Sequence, residues 1–74
     1  MQKENTTDNL GGVIKSARII KNLTQKELSE RLNISLRYLK SIENSGQNPS
    51  YKLLKLIFVT LDIPAEMVFK TGNL

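Results

Sequence analysis

The sequence predicts an all-α domain of five short helices. Apolar residues recur at spacings of three and four along the chain, and no stretch alternates as a strand does. Thr24, Ser35 and Ser50 each stand just ahead of such a segment, where a helix cap belongs. Stretches rich in Asn, Ser, Gly and Pro separate the segments.

Residues 1–9 contain one apolar side chain, Met1, and read as a mobile tail. A first helix follows from about Leu10 to Lys21, with Asp8 or Asn9 as its cap. Leu10, Val13, Ile14, Ala17 and Ile20 form its apolar stripe. Gly11 and Gly12 weaken its first turn, and Asn22 and Leu23 break the pattern. Thr24 followed three residues later by Glu27 is a capping box that opens the second helix. Leu28 and Leu32 are the buried edge of that helix, and Ser29 is small where the next helix must cross closely. Asn33 follows its last turn, where a left-handed residue is needed.

Ser35 caps the third helix, which buries Leu39 and Ile42 and turns Leu36, Arg37, Tyr38, Lys40 and Ser41 outward. Residues 44–50 (Asn-Ser-Gly-Gln-Asn-Pro-Ser) are a loop by every local signal. The fourth helix runs from about Tyr51 to Leu61, with Leu53, Leu54, Ile57, Phe58 and Leu61 on its core face. Pro64 suits the first turn of a last helix ending near Phe69. The organisation expected is a tail over residues 1–9 and one domain over about 10–70.

With 74 residues there is material for one modest core, which needs efficient packing or a partner subunit. The absence of cysteine and histidine excludes disulfide staples, thiolate zinc sites and imidazole acid–base chemistry. Neither a membrane-spanning apolar run nor a secretory start is present, so a soluble cytoplasmic protein, held at the nucleoid if it binds DNA, is expected. Eleven Lys and Arg against seven Asp and Glu give a net charge of +4. Between Asn33 and Leu61 the basic residues are Arg37, Lys40, Lys52 and Lys55, and Glu43 is the lone acid. The surplus sits on the third helix and the segment after it, as a polyanion partner requires.

Residues 24–43 place two short amphipathic helices on either side of the turn Asn33-Ile34-Ser35. That is a helix-turn-helix layout, whose second helix (about 36–43) has the form to enter a DNA major groove. Its outer face carries Arg37 and Lys40 and meets no acid before Glu43.

In these residues the chain resembles the phage-repressor and Cro-like (XRE-type) helix-turn-helix DNA-binding proteins. The resemblance spans about residues 10–69. It is carried by Ile14 and Arg18, by the run Leu23-Thr-Gln-Lys-Glu-Leu28, by Asn33-Ile34-Ser35 and Ile42-Glu43-Asn44, and by Asn48-Pro49-Ser50 leading to Leu61. It implies a compact five-helix, lambda-repressor-like domain, usually acting as a transcriptional regulator on a near-palindromic operator, with repression the expected effect and activation left open. The implied base readers are Leu36, Arg37 and Ser41, with Lys40 close by. A guanidinium at Arg37 can pair with guanine O6 and N7, Leu36 offers an apolar surface to a thymine methyl, and Lys40 reaches a base or a phosphate. The implied phosphate contacts are Gln25 with its neighbour Thr24 at the start of helix two, and Asn44 after helix three; Asn44 also suits a plain helix cap. Tyr38 offers its hydroxyl to a phosphate or packs its ring on the corner. Arg18 and Glu43 are the implied inward-facing ion pair between helices one and three. Ser45 stands where the family often has Gly, with Gly46 one place later, so the loop after helix three is expected to take its own path. Asn33 and Ser29 replace the commoner Gly and Ala.

Leu56 and Val59 lie off the main stripe of helix four, and Ile63 and Met67 follow. This excess of apolar surface suggests a symmetric homodimer contact, which would let two recognition helices read half-sites one helical turn apart. No cofactor, metal or small-molecule ligand is implied, and regulation is expected from protein level or an outside partner. A protein-interaction module or an antitoxin built on the same fold is the alternative, favoured by Leu36 and the extra apolar residues of helix four. An enzyme fares badly, because the carboxylates are scattered and nothing gathers a nucleophile with a base.

Overall fold

The computed structural model describes residues 10–64. Within them the chain forms four α-helices: α1 (Leu10–Ile20), α2 (Gln25–Leu32), α3 (Leu36–Asn44) and α4 (Tyr51–Leu61). The expected tail and the expected last helix from Pro64 to Phe69 lie outside the described residues, apart from Pro64 itself. α1 and α2 each pack against both α3 and α4. Leu10, Ile14, Leu28, Leu32, Leu39, Ile42, Ile57, Phe58, Leu61 and Ile63 close a single core among them. Ile14, Leu28, Leu39, Ile42 and Ile57 are fully buried, and each contributes about 1.5–3 kcal/mol through removal from water.

The starts of three helices follow from their caps. Thr24 accepts the Glu27 N–H at 3.0 Å and donates its own N–H to the Glu27 carboxylate at 2.8 Å, completing the capping box. These hydrogen bonds from Thr24 hold the Glu27 carboxyl below its ordinary pKa. Ser35 accepts from the Tyr38 N–H at 3.0 Å and Ser50 from the Leu53 N–H at 3.1 Å, which open α3 and α4.

The ends share one device. Asn22, Asn33 and Asp62 adopt left-handed backbone with φ of 63°, 59° and 57°. Each is followed by an apolar residue (Leu23, Ile34, Ile63) whose N–H donates five residues back, to Arg18, Ser29 and Phe58 carbonyls respectively. This is the Schellman termination: a short polar residue takes the left-handed position, and its apolar successor folds onto the core. α3 ends otherwise. Ser45 keeps a φ of −119°, and the left-handed conformation passes to Gly46 at φ +74°. The Ser45 and Gln47 N–H groups both donate to the Ser41 carbonyl there.

Three placements differ from the sequence reading. Ile20 is 83% exposed, because the inward positions of α1 are Leu10, Ile14 and Arg18, a four-residue spacing that a search for apolar side chains passes over. Leu53 and Leu54 are half-buried flanks of the core, whose centre in α4 is Ile57, Phe58 and Leu61. Ile63, expected at a subunit contact, is buried in the core of one copy, since the left-handed turn at Asp62 drives it inward. Gly11, read as a weak point, sits where α1 meets the end of α3. A Cβ there would stand 2.6 Å from the Ile42 and Glu43 carbonyl oxygens, so only glycine allows that approach. Among the described residues no helix is long and apolar enough to cross a membrane, and no His, Cys, Asp and Glu cluster could hold a metal ion.

Candidate nucleic-acid interface

α3 has two chemically distinct faces. Leu39, Ile42 and Glu43 point inward and are buried. Arg37, Lys40 and Asn44 are exposed, with Ser41 half-buried beside them, and their spacing of three and four places them on one outer face. Leu36 is half-buried at the N-terminal end of that face. Tyr38, read as either a phosphate contact or a ring packed on the corner, is half-buried with its ring against the core cluster. The outer face therefore presents two cations and two small polar groups, with one apolar edge.

Glu43 does not offset those cations at the surface, because a buried partner holds its charge. Arg18 Nε donates to Glu43 Oε2 at 2.9 Å and Arg18 Nη2 to Oε1 at 3.1 Å, a two-pronged pair. The Glu43 side chain is fully buried and that of Arg18 is 9% exposed. Arg18 Nη1 completes the site by donating to the Leu23 carbonyl at 2.8 Å, just ahead of the α2 cap. The guanidinium thus ties α1 to the last turn of α3 and to the entrance of α2, leaving few of its N–H groups unmatched in the interior.

The entrance of α2 lies against this network. Gln25 is the first residue of α2, and its Nε2 donates to Glu43 Oε1 at 3.1 Å. The sequence reading placed Gln25 at the helix start and missed this bond, since a separation of 18 residues leaves no local signal. The capping box occupies the Thr24 and Glu27 N–H groups. The Gln25 and Lys26 N–H groups have no acceptor within the helix and lie at the positive end of its dipole. Lys26 itself pairs with Glu30 at 3.6 Å across one turn.

Elsewhere, Leu56 and Val59 are exposed on α4, and Met67 lies outside the described residues. Tyr51, 72% exposed, joins them on α4, with the Lys55 ammonium 5.3 Å from its ring centre.

Residues 14–68 match the family described as Helix-turn-helix. The chain belongs to the helix-turn-helix family. It is 36% identical over 59 residues to the transcriptional regulator ClgR of Mycobacterium tuberculosis, a match covering 80% of this chain and 53% of ClgR. It is also 36% identical over 62 residues to the ImmF control region 10 kDa protein of Bacillus phage phi105, covering 84% of this chain and 69% of that protein. The chain thus spans about half the length of ClgR. Among solved structures it is similar to C.Esp1396I bound to a 25 base pair operator site. There the TM-score is 0.74 at 28% identity, covering 93% of this chain and 91% of the other. A point variant of C.Esp1396I bound to its highest-affinity operator site gives the same TM-score at 26% identity, with the same coverage.

Proposed function

We propose that this helix-turn-helix domain is a sequence-specific double-stranded DNA-binding regulator of transcription, acting as a repressor on a near-palindromic operator. The observation that carries the reading is the outer face of α3, where Arg37 and Lys40 stand exposed while the nearby acid is buried against Arg18. A helix of about 10–12 Å diameter fits a major groove about 12 Å wide. Laid there, α3 brings Leu36, Arg37, Lys40 and Ser41 toward base edges. Gln25, Thr24 and the free N–H groups of the α2 entrance lie toward one phosphate, with Asn44 and the Tyr38 hydroxyl toward others. The similarity to the transcriptional regulator ClgR, and to C.Esp1396I in two structures bound to operator DNA, supports the same reading.

The function is binding without chemistry, needing no cofactor, in the cytoplasm beside the nucleoid. One recognition helix contacts too few base pairs to select a single site, so the protein acts as a homodimer, with exposed Leu56 and Val59 of α4 and Met67 beyond it in the contact. The domain is taken to extend over about residues 10–70, beyond the described four helices. A bound dimer excludes polymerase from the promoter it covers.

Titration of a random-sequence duplex with the purified protein at stepped salt tests this reading. Neutralised phosphates release counterions, so log Kd should rise linearly with log salt, with a slope of about 0.9 for each phosphate contacted. A flat salt profile, or binding only to another protein, would identify an interaction module instead.

A further inference from the structure

We infer that Glu43 is a positioning residue for DNA binding: its buried carboxylate sets the direction in which the Gln25 amide meets a phosphate. The inference rests on the DNA-binding reading above and extends it to a group that cannot itself touch DNA.

Glu43 Oε1 accepts two hydrogen bonds, from Arg18 Nη2 and from Gln25 Nε2, both at 3.1 Å. The first belongs to the ion pair that closes the core. The second comes from the first residue of α2. A carboxylate accepts and does not donate, so the nitrogen of the Gln25 amide, and not its oxygen, must face Glu43. The amide is planar with two N–H groups on that nitrogen. Fixing one on Oε1 therefore fixes the direction of the other, and of the amide oxygen.

The remaining N–H is left for an acceptor at the α2 entrance, beside the N–H groups of Gln25 and Lys26. A phosphate oxygen is the acceptor that a positive helix end selects. Glu43 is itself held by Arg18, and Arg18 holds the Leu23 carbonyl at the same entrance. The pair thus fixes both the side chain that meets the phosphate and the backbone that carries it. Without Glu43, Gln25 would be a mobile exposed side chain that must be ordered on binding, at a cost equivalent to about three- to tenfold in Kd.

The test is a double-mutant cycle on binding to a random-sequence duplex, where phosphate contacts dominate. The wild type, Gln25→Ala, the pair variant Arg18→Met with Glu43→Met, and the triple variant are compared. Replacing both charges by apolar side chains avoids a lone buried ion. Gln25→Ala in the wild type should weaken binding about tenfold. In the pair variant the same change should cost less than about threefold, because the amide is no longer aimed. Equal losses in both backgrounds would overturn the positioning role while leaving DNA binding intact. A wild type that binds no duplex would overturn the functional reading instead. If the pair variant does not fold, NMR of the free wild-type protein decides. One Nε2 proton of Gln25 should exchange slowly with water and the other quickly, whereas two fast protons would contradict the bond to Glu43.

Discussion

Glu43→Ala lowers stability by about 3–5 kcal/mol, because it leaves the Arg18 guanidinium buried without its counter-charge. For a domain of this size each kcal/mol moves Tm by about 4–8 °C, so the melting temperature should fall by well over 10 °C. Small domains have total stabilities of about 5–15 kcal/mol, and much of the variant could be unfolded at room temperature. Arg18→Met alone should be comparably damaging, since the carboxylate is then the lone buried ion, next to the Gln25 amide. The instructive comparison is the pair variant. If desolvation is the origin of the loss, removing both charges should restore most of the melting temperature. A pair variant as unstable as either single one would mean that the hydrogen bonds to Leu23 and Gln25, and not charge burial, dominate the site. Thermal melts followed by far-ultraviolet circular dichroism make the comparison directly.

Arg37→Ala should leave the melting temperature nearly unchanged and alter what the protein reads. Arg37 is exposed on α3, and among the described residues no hydrogen bond depends on its guanidinium, so stability has little to lose. On DNA the same group can pair with both acceptors of one guanine, a contact that discriminates by about 1–3 kcal/mol. The variant should therefore lose its discrimination at one operator position and little of its affinity for random duplex. Competition between an operator, chosen from a random oligonucleotide pool by the wild type, and its single-base variants measures both. Equal loss on all duplexes would make Arg37 a phosphate contact and shift the reading of sequence to Lys40, Ser41 and Leu36.

Much of this architecture is legible in the sequence, for identifiable reasons. The entrances of α2, α3 and α4 follow from Thr24, Ser35 and Ser50, because an N-cap is a local bond to a residue three places on. The left-handed exit at Asn33 is legible in the same way. Asn22 and Asp62 carry the same signal, a short polar residue before an apolar one, and it goes unread when the pattern is sought at one turn only. Long-range features are harder to see. Gly11 looks like a flaw in α1 until the carbonyls of α3 are brought against it, and no local rule supplies that neighbour. Ile20 reads as core by spacing, while the inward place goes to Arg18, whose charge hides it from an apolar count. The Arg18–Glu43 pair follows from family resemblance and not from spacing, since 25 residues separate its members. Gln25 lies on the expected helix start, yet its bond to Glu43 depends on how α2 and α3 are set against each other.

The central claim is that the outer face of α3 meets the bases while the entrance of α2 meets a phosphate. Amide chemical-shift mapping of the isotope-labelled protein, during titration with the selected duplex, tests it most directly. The largest shifts should fall on Leu36, Arg37, Lys40, Ser41 and Asn44, with a second group at Thr24 and Gln25, while the buried positions Ile14 and Ile57 move little. Shifts confined to α4 around Leu56 and Val59, with α3 unmoved at saturating duplex, would contradict the account.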